Sequence, residues 1–230
     1  MIGLLLVDSI NKELYFEAFK FSNELVKEVA CYSSKNIEQV KCFDIEKYVK
    51  EVEDVEFVEY TFQKQLRRRM LGSTSKVYNE VIITTNKELM LERKNFTKMH
   101  EITHYYIDIP TINSNTHTFS DMILENGYFP EDYPKEYRAN ICASMLMANT
   151  QALHFALKNF CTFEEVAQYF FMSKAALQNR LIEHLIYINN CTPCYAKSLF
   201  NDYYFNDGKK FRSIFFKLQP RKINFLKNKK

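Results

Sequence analysis

The stretch His100-Glu101-Ile102-Thr103-His104 limits what this chain can fold into more than any other. Its two imidazoles converge only on a helix, where residues four apart share a face. The surroundings permit one: from Lys87 to about Ile107 no Pro or Gly interrupts, and helix formers dominate the first turns. Neutral imidazoles suit a zinc ion that keeps a fourth position open for water. The intervening Glu101 projects beside that position and can take the water's proton. The plainer reading, two exposed histidines on an amphipathic helix, is the weaker one because the helical context is met.

A zinc ion of this kind needs a third protein ligand, often a carboxylate from a second helix. Downstream, Asp108, His117, Asp121, Glu125, Glu131, Asp132 and Glu136 all qualify by type, and composition does not choose among them. Asp108 lies one further turn along the same helix, too far along the axis to join easily. Glu136 opens an apolar stretch, EYRANICASMLM, that should form a helix packed against the first.

The residues around both ligand segments extend the pattern. Arg93-Lys-Asn-Phe96-Thr97-Lys-Met-His100-Glu101-Ile-Thr-His104 is followed by Glu136-Tyr-Arg-Ala139-Asn140-Ile-Cys-Ala143-Ser-Met-Leu146-Met147. Together they resemble the ImmA/IrrE metallopeptidase family, which reads R-x-x-F-T-x-x-H-E-x-x-H and then E-x-x-A-N-x-x-A-x-x-L-M-P. The resemblance covers about residues 38–190, with a short helix, a strand, a Gly-containing turn and a second strand before the metal helix. It implies an α+β, zincin-like fold with a small sheet, His100, His104 and Glu136 as Zn2+ ligands, and Glu101 as the catalytic acid/base. Three positions depart from the family. Thr103 stands for the usual Gly, Asp108 for a His often found four residues after the second ligand, and Ala148 for the usual Pro. None of them is a ligand or the base.

The resemblance also implies a function: limited cleavage of a cognate helix–turn–helix transcriptional repressor, relieving repression in a phage, mobile element or stress regulon. Two other classes stay open. One is a DNA-binding regulator with a structural metal site; the other is a protein that sequesters its repressor without cutting it. Glu101 argues against both, since a structural site has no use for a base beside an open position.

Around this centre the chain divides into an expected peptidase domain (1–149), a helical helix–turn–helix domain (150–208) and a basic tail (209–230). Residues 13–30 place Leu14, Ala18, Phe21, Leu25 and Val29 at helical spacing, and Asp44 is the expected N-cap of a second helix. Residues 55–62 and 77–85 read as strands, Gly72-Ser-Thr-Ser as a turn, and Asn86 as the cap of the metal helix. Residues 110–134, rich in Pro and polar residues, read as an irregular excursion; within it His117 is a candidate for substrate contact or oxyanion stabilisation. Thr162 and Glu165 form a capping box ahead of helix 164–170, and Ser173 caps 174–188 after a turn at Phe171-Met172. Lys174, Gln178, Asn179 and Arg180, opposed by Glu183, are too little charge for a clear phosphate footprint, so a structural or docking role is favoured.

Charge is uneven. The last 22 residues carry nine Lys or Arg and no acid, leaving 22 basic against 28 acidic residues elsewhere. A solvated end is the common outcome for such a run, and contact with nucleic acid or an acidic partner is the sharper one. The opening MIGLLLVDS lacks a basic n-region and a cleavage site, and no run approaches a membrane span, so a soluble, cytoplasmic protein is expected. Six cysteines then read as reduced, buried thiols, and Cys191 and Cys194, which have metal or redox spacing without a second pair, as ordinary ones.

Overall fold

The computed structural model describes residues 2–122, 129–160 and 162–217, with side chains from residue 11 onward. Its architecture is α+β: a four-stranded sheet and a larger set of helices. Helix α1 (Ile2–Ser33) is longer than its amphipathic core segment predicts, and it buries Leu14, Tyr15, Ala18, Leu25, Val26 and Val29. Helix α2 (Cys42–Val52) starts one turn earlier than expected. Its N-cap position is Lys41, whose N–H donates to Asp44 Oδ2 (3.0 Å), so Asp44 closes the first turn from inside.

The sheet has the order β1-β3-β2-β4, from β1 (Glu56–Tyr60), β2 (Met70–Val77), β3 (Glu80–Asn86) and β4 (Thr116–Met122). Strands β1 and β3 are parallel, and β2 is antiparallel to both β3 and β4. The segment Gly72-Ser-Thr-Ser, expected as a turn, is the middle of β2. Its residues are small because helix α3 (Leu91–Thr103) lies across them; Ser73 and Thr74 are buried there. The turn itself is Tyr78-Asn79, with Tyr78 at φ 56°, closing the hairpin at the Val77–Glu80 pair. Asn86 does not cap α3. Its Nδ2 donates to Arg67 O and Met70 O (both 2.8 Å) while its Oδ1 accepts from Glu88 N–H, which pins the β1–β2 loop to the end of β3. Part of the expected irregular excursion is also ordered, as β4 paired along β2.

Helix α4 (Tyr133–Met147) packs against α1 on one side and α3 on the other. From Ala139 onward nearly every residue is buried, including Ile141, Cys142, Ala143, Met145, Leu146 and Met147, as a helix central to a core requires. Asn149 caps α5 (Thr150–Asn159) by accepting from Ala152 N–H at 2.9 Å. Thr162 and Glu165 form the reciprocal box at α6 (Phe163–Tyr169), and Ser173 caps α7 (Lys174–Tyr187). Arg180 does not face outward: it is fully buried, its Nε donating to Ala148 O and its Nη2 to Thr150 Oγ1 (both 3.1 Å). It therefore holds the junction of α4 and α5 and is not available to a nucleic-acid groove.

After α8 (Pro193–Phe205), residues expected to begin the basic tail form α9 (Lys209–Phe215). Phe211 and Phe215 are buried in the same apolar cluster that contains Ile45, Ile83, Ile102, Leu146 and Leu181. The rest of the expected tail, 218–230, lies outside the described residues, as do Cys161 and Glu125. Cys31, Cys42, Cys142, Cys191 and Cys194 are free thiols, but of these only Cys42 and Cys142 are buried as expected, while Cys31 and Cys194 are exposed at helix ends. No described helix is long and apolar enough to cross a membrane.

One buried group gives this core a pH dependence. His184 on α7 stacks on Phe215 (ring centroids 4.3 Å apart), and neither ring nitrogen has a hydrogen-bond partner among the described residues. Burial first, then Arg180 and His154, drive its pKa well below the ordinary value. The unfolded chain takes up a proton near pH 6.5 that the folded chain refuses, so stability is lost as pH falls through that value. His184→Phe keeps a ring against Phe215 and should flatten this loss. Denaturant unfolding between pH 7 and pH 5 measures it, with a slope difference of up to about 1.4 kcal/mol per pH unit.

Candidate metal centre

Helix α3 delivers His100, Glu101 and His104 to one point because the chain continues past Thr103 without a break, in a π-helical segment spanning His104–Asp108. Thr103, where the resemblance leads one to expect Gly, turns its hydroxyl back onto Met99 O (3.0 Å) and leaves the ligand face clear. Helix α4 brings Glu136 on its first turn. His100 Nε2 and His104 Nε2 are 3.0 Å apart, and the Glu136 carboxylate lies 3.2 Å from the first and 3.5 Å from the second. All three side chains are buried, and their donor atoms form a group that could hold a metal ion.

The opposite nitrogen of each ring is engaged. His104 Nδ1 donates to Asp108 Oδ2 at 2.8 Å, and His100 Nδ1 faces Asn140 Oδ1 at 3.1 Å. With Nδ1 acting as donor on both rings, the two Nε2 lone pairs point at each other, an arrangement that needs a positive charge between them. Glu136 Oε2 and Glu101 Oε1 are both buried without a hydrogen-bond partner among the described residues. A cation with His100, His104 and Glu136 as ligands fits the first of them, and Glu101 falls with His100 and Asp121 in a second group that could hold a metal ion.

The electrostatics agree. Burial alone would lower the His100 pKa, but Asp121, Glu136 and Glu101 outweigh it and hold the ring at about 9. Burial raises Glu101 to about 8, with His100 and Thr74 opposing and Asp121 and Glu136 adding. His104 is lowered, mainly by burial and against its bond to Asp108. Asp108 is held below the ordinary carboxylate range despite its burial, by His104 and then Arg138.

Strand β4 forms one wall. His117, Phe119 and Asp121 alternate along it toward the centre, as side chains two apart on a strand do. The Phe119 ring stacks parallel to His104 (5.1 Å), and Asp121 reaches the neighbourhood of His100 and Glu101. His117 meets Phe119 and lies outside the ligand group. Of the other ligand candidates, Asp108 contacts His104 without joining the group, and Glu131 and Asp132 are exposed before α4.

The family model of the IrrE N-terminal-like domain, a peptidase family, matches residues 54–182. The chain belongs to this family. No curated protein matches it in sequence. The IrrE-like match supports a metallopeptidase-type function and a protein substrate. It begins just before β1 and ends within α7, so α1, α2, α8 and α9 lie outside it.

Glycine at position 72 is a requirement of this IrrE-like centre that spacing alone does not reveal. A Cβ there would fall 2.5 Å from Thr97 Cγ2, 2.9 Å from Thr84 O and 3.0 Å from Glu101 Oε1. Gly72→Ala should therefore destabilise by about 1–3 kcal/mol through overpacking, read from denaturant unfolding. Thr97→Ser in the same chain removes one clash and leaves the backbone one, so the double variant should recover only part of the loss.

Proposed function

We propose that this chain is a zinc-dependent endopeptidase that makes a limited cut in a helix–turn–helix transcriptional repressor. The observation that carries the reading is Glu101 beside the buried His100, His104 and Glu136 group. Those three would be the zinc ligands. When bound, zinc supplies Lewis acidity to the peptide carbonyl and to the attacking water. Glu101 takes the water's proton and passes it to the leaving amine. Its two oxygens have separate tasks: Thr74 Oγ1 lies 2.7 Å from Oε2 and turns the carboxylate, while Oε1, without a partner, is the oxygen that carries the proton. Phe119 keeps one face of His104 dry.

Glu101→Gln preserves shape and removes basicity. It should leave fold, zinc content of about one per chain and repressor binding intact, while cleavage falls by about two orders of magnitude or more. Incubation with a repressor encoded beside this chain, followed by mass spectrometry of fragments, reads the result. One discrete cut, absent from the variant, supports limited proteolysis. If the wild type never cuts and both proteins release the operator equally, a regulator acting without proteolysis replaces the peptidase reading. Full zinc occupancy in a His100→Ala/His104→Ala chain would remove the ligand assignment.

In this reading residues 1–149 carry the cutting site, the helices of 150–208 dock the repressor, and the cations from Lys209 onward engage nucleic acid or an acidic partner. Lys209 is exposed, whereas Phe211 and Phe215 are buried, so the informative truncation removes only 218–230. It should weaken binding to a repressor–operator complex and flatten its salt dependence. Equal binding across salt would make the segment a solvated end.

A further inference from the structure

We propose that Asp108 and Arg138 form a positioning pair that fixes His104 as a metal ligand and locks the two ligand-bearing segments together. The inference rests on the zinc reading above and adds to it two residues that are neither ligand nor base, one of them a departure from the family's usual His. Asp108 Oδ2 accepts from His104 Nδ1–H at 2.8 Å, and Asp108 Oδ1 accepts from Arg138 Nη2 at 2.7 Å. Each carboxylate oxygen therefore has one partner, and the Asp108 side chain is only 3 % exposed.

The chemistry follows from the directions of these bonds. A carboxylate is acceptor-only, so it forces the proton of His104 onto Nδ1 and turns the Nε2 lone pair toward Glu136 and His100. A charged acceptor also makes the imidazole a better donor to a metal than a neutral one does. A buried carboxylate facing one imidazole would be short of positive charge, and Arg138 supplies it. Arg138 stands two residues after Glu136 on α4, so the pair ties the segment bearing His104 to the helix bearing the carboxylate ligand. Its Nη1 continues to Glu17 Oε2 on α1 at 3.4 Å, outside the matched family segment. Residues four apart are neighbours on one helix face, so Asp108 meets His104 from the next turn.

His100 is backed differently, by the neutral amide oxygen of Asn140 at 3.1 Å. The pair thus implies an asymmetry between the two imidazoles: loss of Asp108 should weaken metal binding more than loss of Asn140.

The test uses full-length protein stripped of metal and titrated with zinc against a chromophoric chelator. The variants are Asp108→Ala, Asp108→Asn, Arg138→Met and Asn140→Ala, and each metal-free protein is also melted. Asp108→Ala should raise the zinc dissociation constant by about 10–100-fold. Asp108→Asn, which keeps an acceptor and loses the charge, should fall between it and wild type, and it carries the test should the alanine variant not fold. Arg138→Met should also weaken zinc binding. Wild-type zinc affinity in both Asp108 variants, with a lowered melting temperature in the metal-free state, would make the pair merely structural and overturn the proposal. Unchanged affinity in Arg138→Met alone would overturn Arg138's part. Absence of zinc uptake by the wild type would overturn the metal reading and this inference together, an outcome distinct from the other two.

Discussion

Burying charge in the core is the constraint from which the rest of this structure follows. His100, Glu101, His104, Asp108, Asp121 and Glu136 lie close together, and none is more than 7 % exposed. Desolvating that many ionisable groups is expensive unless each finds a partner of opposite charge or a hydrogen bond. The surrounding elements provide these at specific points: Arg138 from α4, Asn140 two residues further on, and Thr74 from β2. What a cation at His100, His104 and Glu136 would satisfy is the unpartnered Glu136 oxygen and the two facing imidazole nitrogens.

Helix α4 meets this constraint from the inside. Its first two turns carry Glu136, Arg138 and Asn140, and the remainder is apolar apart from Ser144. A polar start and a greasy body let one helix bring Glu136 to the candidate metal group and serve as a packing surface between α1 and α3. The cost of its polar end is offset by apolar burial further along, about 1.5–3 kcal/mol for each large side chain.

What the sequence made legible was local chemistry. The i, i+4 histidines, the caps at Thr162 and Ser173, and the apolar face of α1 depend on residues within a turn of one another, and they stand where the pattern puts them. What it hid was tertiary. Gly72-Ser-Thr-Ser has turn composition because a helix presses on it, not because the chain reverses. Asp108 is too far along the axis to join the ligand group, yet it stands behind His104 as the partner of its other ring nitrogen. Arg180 has the look of a surface cation and is buried, since its partners are backbone and hydroxyl oxygens 30 or more residues away. In α9 the cations masked two core phenylalanines, because a charge count over a window averages across both faces of a helix.

The position of those phenylalanines bears on how the molecule could be dissected. Phe211 and Phe215 pack with Tyr203 and His184, and the apolar cluster they join reaches back to α2, β3 and α3. The border of a recognisable family segment, at residue 182, therefore runs through the middle of a cooperative core. A fragment trimmed to that border would leave Leu177 and Leu181 without part of their cover. The buried cluster spans elements from α1 to α9, so the homologous segment is shorter than the stretch of chain that closes this interior.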